Sequence, residues 1–374
     1  MAKFGRTLED LAREITRQSQ AKRDYLVPTG VMSMTLEVQP SAEAGAPPVL
    51  VPQIAFGEGE QAVNLGLRQL AHRQIGEFAK IPAPYYDRML ATQPQLLAEN
   101  VNTWLRAESK TRLVRVLDDR MRAFLSDSYR PLENIDLAEA VLPVLGQLEV
   151  EIVSSEITEQ RFYIKAVDKR IVKDIPTGRK LGDGSHVFFD TLSPAIIISN
   201  SEVGAGALSV ETAIWRKVCT NLASFGTNMR KFHLGARADI GEELFKMLSP
   251  ETRKLSDKAL WSQARDVVKN AFEQTQFEAL TGKLVEATEQ KLTGKIEKVV
   301  ELVGRKFEMA EGERESVLQN LIKGGDLTRY GLFNAITRTA EDLPSYDRAT
   351  QFERFGGKII DLPANDFRVI AEAA

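Results

Sequence analysis

Arg112-Leu113-Val114-Arg115-Val116-Leu117, the pair Asp118-Asp119, and Met121-Arg122-Ala123-Phe124-Leu125-Ser126 form the stretch that decides the fold. Two short runs rich in β-branched, aliphatic and aromatic residues flank an acidic pair suited to a tight turn. The stretch therefore predicts an antiparallel hairpin. Downstream the same signal recurs. Glu149 to Thr158 and Gln160 to Val167 read as strands, as do Ser185 to Thr191, Pro194 to Asn200 and residues 207 to 216. One helix, Ile135 to Gln147, intervenes. Runs of strands with few helices between them predict α+β, with an antiparallel or mixed sheet backed by helices, rather than a doubly wound parallel sheet.

Upstream, residues 4 to 24 carry Leu8, Leu11 and Ile15 at helical spacing. Gln39 to Pro52 (QPSAEAGAPPVLVP) reads as a flexible linker or the tip of an inserted hairpin. Residues 59 to 80 read as helix ending at Ile81-Pro82, and Gln95 to Glu108 as another. Beyond Asp239 the chain is helix-periodic: Leu255 to Thr281, Lys283 to Met309 and Glu313 to Ile322 predict a long helical subdomain. A last helix over Thr328 to Ala340 is followed by an expected turn and strand at Phe355-Gly356-Gly357-Lys358-Ile359-Ile360. The organisation expected is an N-terminal helix and linker (1–58), an α+β core (59–240), a helical subdomain (241–325), and a C-terminal helix and strand returning to the core (326–374).

Composition narrows the chemistry. The chain has 374 residues, 49 Lys+Arg against 52 Asp+Glu, one cysteine and three histidines. One cysteine precludes an intrachain disulfide and a thiolate metal cluster. No G-x-x-x-x-G-K-[ST], H-E-x-x-H, C-x-x-C or G-x-S-x-G pattern occurs. Cys219 with His233 would be a thiol nucleophile, but Cys219 at the end of an apolar strand reads as a small buried hydrophobe. No catalytic residue, metal site or cofactor is expected. No apolar run approaches the roughly 20 residues that a membrane span needs, and the N-terminus lacks a signal-peptide core, so a cytoplasmic protein is expected.

The net charge of −3 hides local asymmetry. Between Glu211 and Asp239 there is no acid, while Arg216, Lys217, Arg230, Lys231 and Arg237 are present, interleaved with Trp215, Phe225 and Phe232. Residues 161 to 180 carry seven bases against two acids, with Lys169, Arg170, Arg179 and Lys180 flanking a Gly-containing loop. Residues 106 to 130 carry seven bases against four acids, among them Arg112, Arg115, Arg120, Arg122 and Arg130. Such stretches are what a phosphate backbone is bound by, and flexible single strands add aromatic stacking. Tyr129 is the exposed stacking candidate; Trp215 reads as core. The structural alternative is a set of solvated strand faces balanced by remote acids.

Four segments carry a resemblance. They are Arg120-x-Arg122-x-Phe124-Leu125-Ser126-Asp127-Ser128-Tyr129-Arg130-Pro131-Leu132-x-Asn134, Ser199-Asn200-Ser201-Glu202-x-Gly204, Arg216-x-Val218-Cys219-Thr220-Asn221, and Gly331-Leu332-Phe333-Asn334-Ala335-Ile336-Thr337. Over about residues 80 to 360 the chain resembles the phage- and plasmid-borne "domain of unknown function 932" family. It departs after Asn221, where a Gly-apolar pair is commoner than Leu222-Ala223. In element order it is also similar to phage single-strand annealing recombinases, a fold-level analogy. The resemblance implies DNA metabolism on a mobile element. The expected function is single-stranded DNA binding, extending to strand annealing, in a homo-oligomer that works beside a host or phage recombination or replication protein. The phosphate contacts expected are Arg120, Arg122, Arg130, Lys169, Arg170, Arg179, Lys180, Arg216, Lys217, Arg230, Lys231 and Arg237. The competing reading is a protein that binds a host or phage protein through its helical region and touches no nucleic acid. A metal-dependent nuclease using an acidic pair such as Asp118-Asp119 ranks third.

Overall fold

Thr7 starts the first helix of the computed structural model by accepting a hydrogen bond from the Asp10 N–H, and α1 (Leu8–Ala21) buries Leu11 and Ile15 as its periodicity predicts. The structure describes residues 5–40, 48–180, 187–217, 222–231 and 249–373, not every side chain within them. After α1 come β1 (Arg23–Pro28), β2 (Ser33–Gln39), β3 (Val49–Phe56), β4 (Val63–Leu67), α2 (Gln69–Phe78), α3 (Ala83–Thr92), α4 (Pro94–Ala107), β5 (Thr111–Leu117) and β6 (Arg120–Ser126). The six strands form one sheet in the order β1-β5-β6-β4-β3-β2, antiparallel except for the parallel pair β4–β6. The β5–β6 hairpin turns at Asp118 and Asp119, whose φ values of 53° and 55° suit a two-residue turn of the twisted hairpin kind. Helices α2, α3 and α4 cover one face, packing Ile75, Met89, Leu97 and Val101 on Val114, Val116, Met121 and Phe124.

Two expectations change here. The segment read as N-terminal linker belongs to this sheet: β1 pairs with β5 and β3 with β4, so no boundary falls at residue 58. Residues 41–47, within the stretch read as a linker or hairpin tip, lie outside the described residues. The helix read over 59 to 80 begins only at Gln69, because Val63-Asn64-Leu65-Gly66-Leu67 alternates with period two and buries Leu65 and Leu67 as a strand.

A second sheet follows α5 (Asn134–Gln147). Its strands are β7 (Glu151–Ile157), β8 (Phe162–Val167), β9 (Lys173–Lys180), β10 (Val187–Asn200), β11 (Leu208–Arg216) and β12 (Leu222–Lys231). The order is β12-β11-β10-β8-β7, with β9 also on β10. The two strands read on either side of Ser193 are one long β10. Pro194 falls between the stretch paired with β9, ending at Leu192, and the stretch paired with β8, starting at Ala195, where its missing N–H breaks no ladder on that side. Helices α1, α5 and α6 (Pro250–Asn270) pack Leu11, Val141, Leu145 and Val268 against Phe162, Ile164, Ile196, Ile198 and Val210.

The C-terminal part is helical: α7 (Gln274–Glu289), α8 (Ile296–Lys306), α9 (Glu311–Gly324), α10 (Arg329–Asp342), α11 (Tyr346–Asp361) and α12 (Ala364–Ala371). The turn and strand expected at Phe355 to Ile360 are instead part of α11, which crosses the second sheet. Tyr346 bonds Ser154 of β7, Asp347 bonds Tyr163 of β8, and Glu353 holds Lys165 of β8. Arg354 reaches Ser199 of β10 and Glu211 of β11, and Gly357 meets the Ser224 carbonyl of β12. A Cβ on Gly357 would stand 1.7 Å from that oxygen, and one on Gly356 would stand 2.3 Å from Thr337 Cγ2. The glycines serve close approach, not a turn. The architecture is α+β, two sheets with a C-terminal helical region. Among the described residues no helix is long and apolar enough to cross a membrane.

Candidate nucleic-acid interface

The strand alternation that buries one face of each sheet also buries several of the bases expected to meet phosphate. Arg122 is 6% exposed and pairs with Glu202, whose other oxygen accepts the Asn134 N–H at 2.7 Å. Arg216, also 6% exposed, donates to Asp190 at 2.6 Å. Neither can meet a nucleic-acid backbone, because a buried guanidinium is retained by the carboxylate that compensates its desolvation. Arg130 pairs with Asp257 of α6. Arg170 is held by Asp168, Glu149 and the Leu148 carbonyl, and Lys169 by Glu151, with its ammonium 4.9 Å from the Trp215 ring centre. Arg120 donates to the Leu67 carbonyl across the parallel pair. Lys217 is exposed. Trp215 is buried in the core. Arg179 and Lys180 end β9, and Arg230 and Lys231 end β12, but their side chains lie outside the described residues, as do Arg237, Cys219 and His233 entirely.

The first two resemblance segments meet in space, and what they build is a joint between the sheets. Tyr129 donates to the Ser201 carbonyl and accepts from the Gly204 N–H. Asn200 donates to the Leu132 carbonyl and to Asn134 Oδ1, and Ser201 Oγ to the Gln160 carbonyl. Burial raises the Glu202 pKa, but Arg122, Glu133, the Asn134 N–H and Arg115 together outweigh it, so the carboxyl stays below its ordinary value and ionised. The loop after it needs its glycines. Gly204 has φ +79°, and a Cβ on Gly206 would lie 1.8 Å from the Arg161 Nη2 that donates to the Ala205 carbonyl.

Beside this joint lies a cleft of about 700 Å³ lined by Gln74, Phe78, Arg112, Phe124, Tyr129 and Arg161. The Arg112 guanidinium sits 4.6 Å from the Phe78 ring centre and 5.5 Å from that of Phe124. It makes no hydrogen bond or ion pair with a described residue, and its buried Nε has no partner. Burial holds its pKa below the ordinary arginine value, with Asp127 pulling the other way, so an anion placed there would relieve the desolvation. Glu77 is the acid on the rim.

Arg161 and Ala207 also line a second cleft, of about 350 Å³, so the two adjoin. That cleft adds Arg354, Lys358, Ser209, Ser224 and Glu211. Arg354 is committed to Glu211 at 2.6 Å, whereas Lys358 is exposed, its ammonium 5.8 Å from the Phe355 ring centre, and makes no ion pair with a described residue. Strand β12 borders it: Arg230 pairs across with Ser209 and Lys231 with Leu208. Arg112, Arg161 and Lys358 thus form a cationic track with aromatic walls, bordered by the backbone of Arg230 and Lys231. Arg112 and Arg161 fall in the base-rich stretches of the sequence. Lys358 sits in the segment misread as a turn, and no local signal marked it.

Among the described residues no group of three or more His, Cys, Asp or Glu side chains could hold a metal ion. Comparison with protein families, with curated proteins and with solved structures finds no match. The resemblance drawn from the motifs gains no support from that quarter, and function must be argued from the groove.

Proposed function

We propose that the chain binds single-stranded DNA in the paired clefts, with Arg112, Arg161 and Lys358 neutralising phosphates and Phe78 and Tyr129 offering ring surface to bases. The observation that carries the reading is the Arg112 guanidinium, set over the Phe78 ring and near that of Phe124, with no hydrogen bond to a described residue and its buried Nε unpartnered. An arginine so placed is pre-organised for an anion and pays little further ordering entropy on binding. Annealing of complementary strands would follow if bases remain presentable while phosphates are held.

Fluorescence anisotropy of a labelled oligothymidylate tests this. Neutralising about three phosphates predicts a slope of log affinity against log salt near −2. Arg112→Glu and Lys358→Glu should each weaken binding at least about tenfold, since each replaces an attraction by a repulsion. Lys358 is exposed, so its reversal leaves the fold intact. Absence of binding at low salt, or binding indifferent to both reversals, overturns the reading. That result would favour the protein-partner alternative, for which Leu255 and Val369, 65% and 69% exposed on α6 and α12, are the natural contacts.

A further inference from the structure

At the opposite end of β10 from the groove lies a separate cleft of about 530 Å³, and we propose that it binds the 2-amino-oxo edge shared by guanine and pterin rings. The cleft is walled by β10, β11, α9 and α10. Asp190 takes both its donors on one oxygen: Arg216 Nη2 at 2.6 Å and the Tyr330 hydroxyl at 2.7 Å each reach Oδ2. Its Oδ1 meets no donor among the described residues. Asn334, one turn along α10 from Tyr330, lines the same cleft. Its Oδ1 is a buried acceptor with no partner. Acceptors in such a position require a donor from a ligand or an ordered water.

The charge balance says what kind of donor. Arg216 neutralises the Asp190 carboxylate, and the other charged residues of the lining, Lys323 and Arg338 against Asp326 and Asp342, balance in sign, so the site presents acceptors without net charge, which favours neutral N–H groups over a cation. Guanine N1–H and N2–H₂ are adjacent donors on one edge, and pterins carry the same arrangement. Adenine sets an acceptor beside its amino group and would face a lone pair with a lone pair. The rest of the cleft suits a flat ring. Phe188 and Phe189 line it at 37% and 60% exposure, opposite Leu321 and Ala335. Lys323 on the rim is exposed and placed for an anionic substituent. The volume falls in the range of ordinary small-ligand sites.

Isothermal titration calorimetry on the full chain tests the assignment with guanosine monophosphate, adenosine monophosphate and 6-hydroxymethylpterin. The guanine nucleotide or the pterin should bind at least about tenfold more tightly than the adenine nucleotide, as expected when buried acceptors reject the wrong edge. The nucleotide prevailing points to phosphate capture by Lys323, the pterin to the ring alone. Phe189→Ala, at an exposed position that leaves the fold intact, should weaken that binding several-fold. Asn334→Leu should abolish the preference over adenine. No heat with any of the three at millimolar concentration overturns the proposal. So does equal affinity for the adenine nucleotide, or a guanine preference that survives Asn334→Leu.

Discussion

His72 lies against Tyr86, its Nδ1 2.9 Å from the phenol oxygen, and burial, with Arg120 and Arg73 nearby, pushes its pKa down to about 4. In the unfolded chain the ring titrates near 6.5. The folded pKa is depressed, so the unfolded state binds the proton first. The stabilisation is complete above pH 6.5 and is lost as pH falls from 6.5 towards 4, by about 3 kcal/mol over that window. His72→Gln should flatten this part of the profile. Urea midpoints at pH 7 and 4.5 check it, because the carboxylates contribute alike to both proteins; parallel profiles would refute the assignment. The arginines show why such residue-level facts escape the sequence. Arg122 and Arg112 sit in one base-rich stretch, yet Arg122 pairs with a carboxylate 80 residues away, whereas Arg112 lies over the Phe78 ring and feels Asp127 only at a distance, without an ion pair to a described residue. Local composition identifies a basic segment; it cannot say which base finds its counter-charge in the fold.

At the scale of the element, glycine carries two meanings that the sequence writes identically. Gly356-Gly357 invites a turn, but in α11 the pair removes side chains where the helix presses on Thr337 and the Ser224 carbonyl. Gly282 in α7 has nothing within 4 Å of where a Cβ would lie. Gly357→Ala should therefore destabilise the protein by about 1–3 kcal/mol through overpacking against backbone. Gly282→Ala should stabilise it by about 0.5–1 kcal/mol, the helix-propensity gain. Guanidinium melts of the two variants decide the matter; shifts of the same sign would mean that α11 does not lie on β12. The β5–β6 hairpin was legible because its strands and turn are contiguous. By contrast β4 hid inside a helical reading, since the five residues Val63–Leu67 become strand by pairing with β3 and β6. Their own propensity is too short a signal to decide.

For the whole molecule, the question is what makes two sheets one folding unit. Among the described residues a small apolar cluster joins them: Leu113, Ala123 and Leu125 of the first sheet meet Val203 and Ala205 after β10. The joint is chiefly polar, and Arg115 is its centre, fully buried within β5. Its Nε donates to Asp24 of β1 at 3.0 Å, its Nη1 to the Glu202 carbonyl at 2.8 Å, and its Nη2 to Glu133 at 2.7 Å. Asp24 belongs to the first sheet; Glu133 immediately precedes α5 and Glu202 follows β10, both in the second half. The expected division at residue 58 missed this, because a domain boundary inferred from composition registers linkers and not buried polar contacts between distant segments. Arg115→Met removes the guanidinium and leaves Glu133 buried against Glu202 with less positive charge, at a cost of about 3–5 kcal/mol. If the polar joint is what couples the halves, that cost falls on their docking and not on either core. Calorimetry should then show one transition for the native chain and two for the variant, with new protease cleavage between β6 and α5 at the lower temperature. A single transition, merely shifted down, would assign the coupling to the apolar contacts and to α1, which packs on the second sheet while Arg17 reaches Asp118 in the hairpin turn of the first. Because the proposed DNA groove draws Arg112 from one sheet and Arg161 from the other, an uncoupled variant should also lose strand binding below its first transition temperature, wherever the halves no longer hold the two arginines in one cleft.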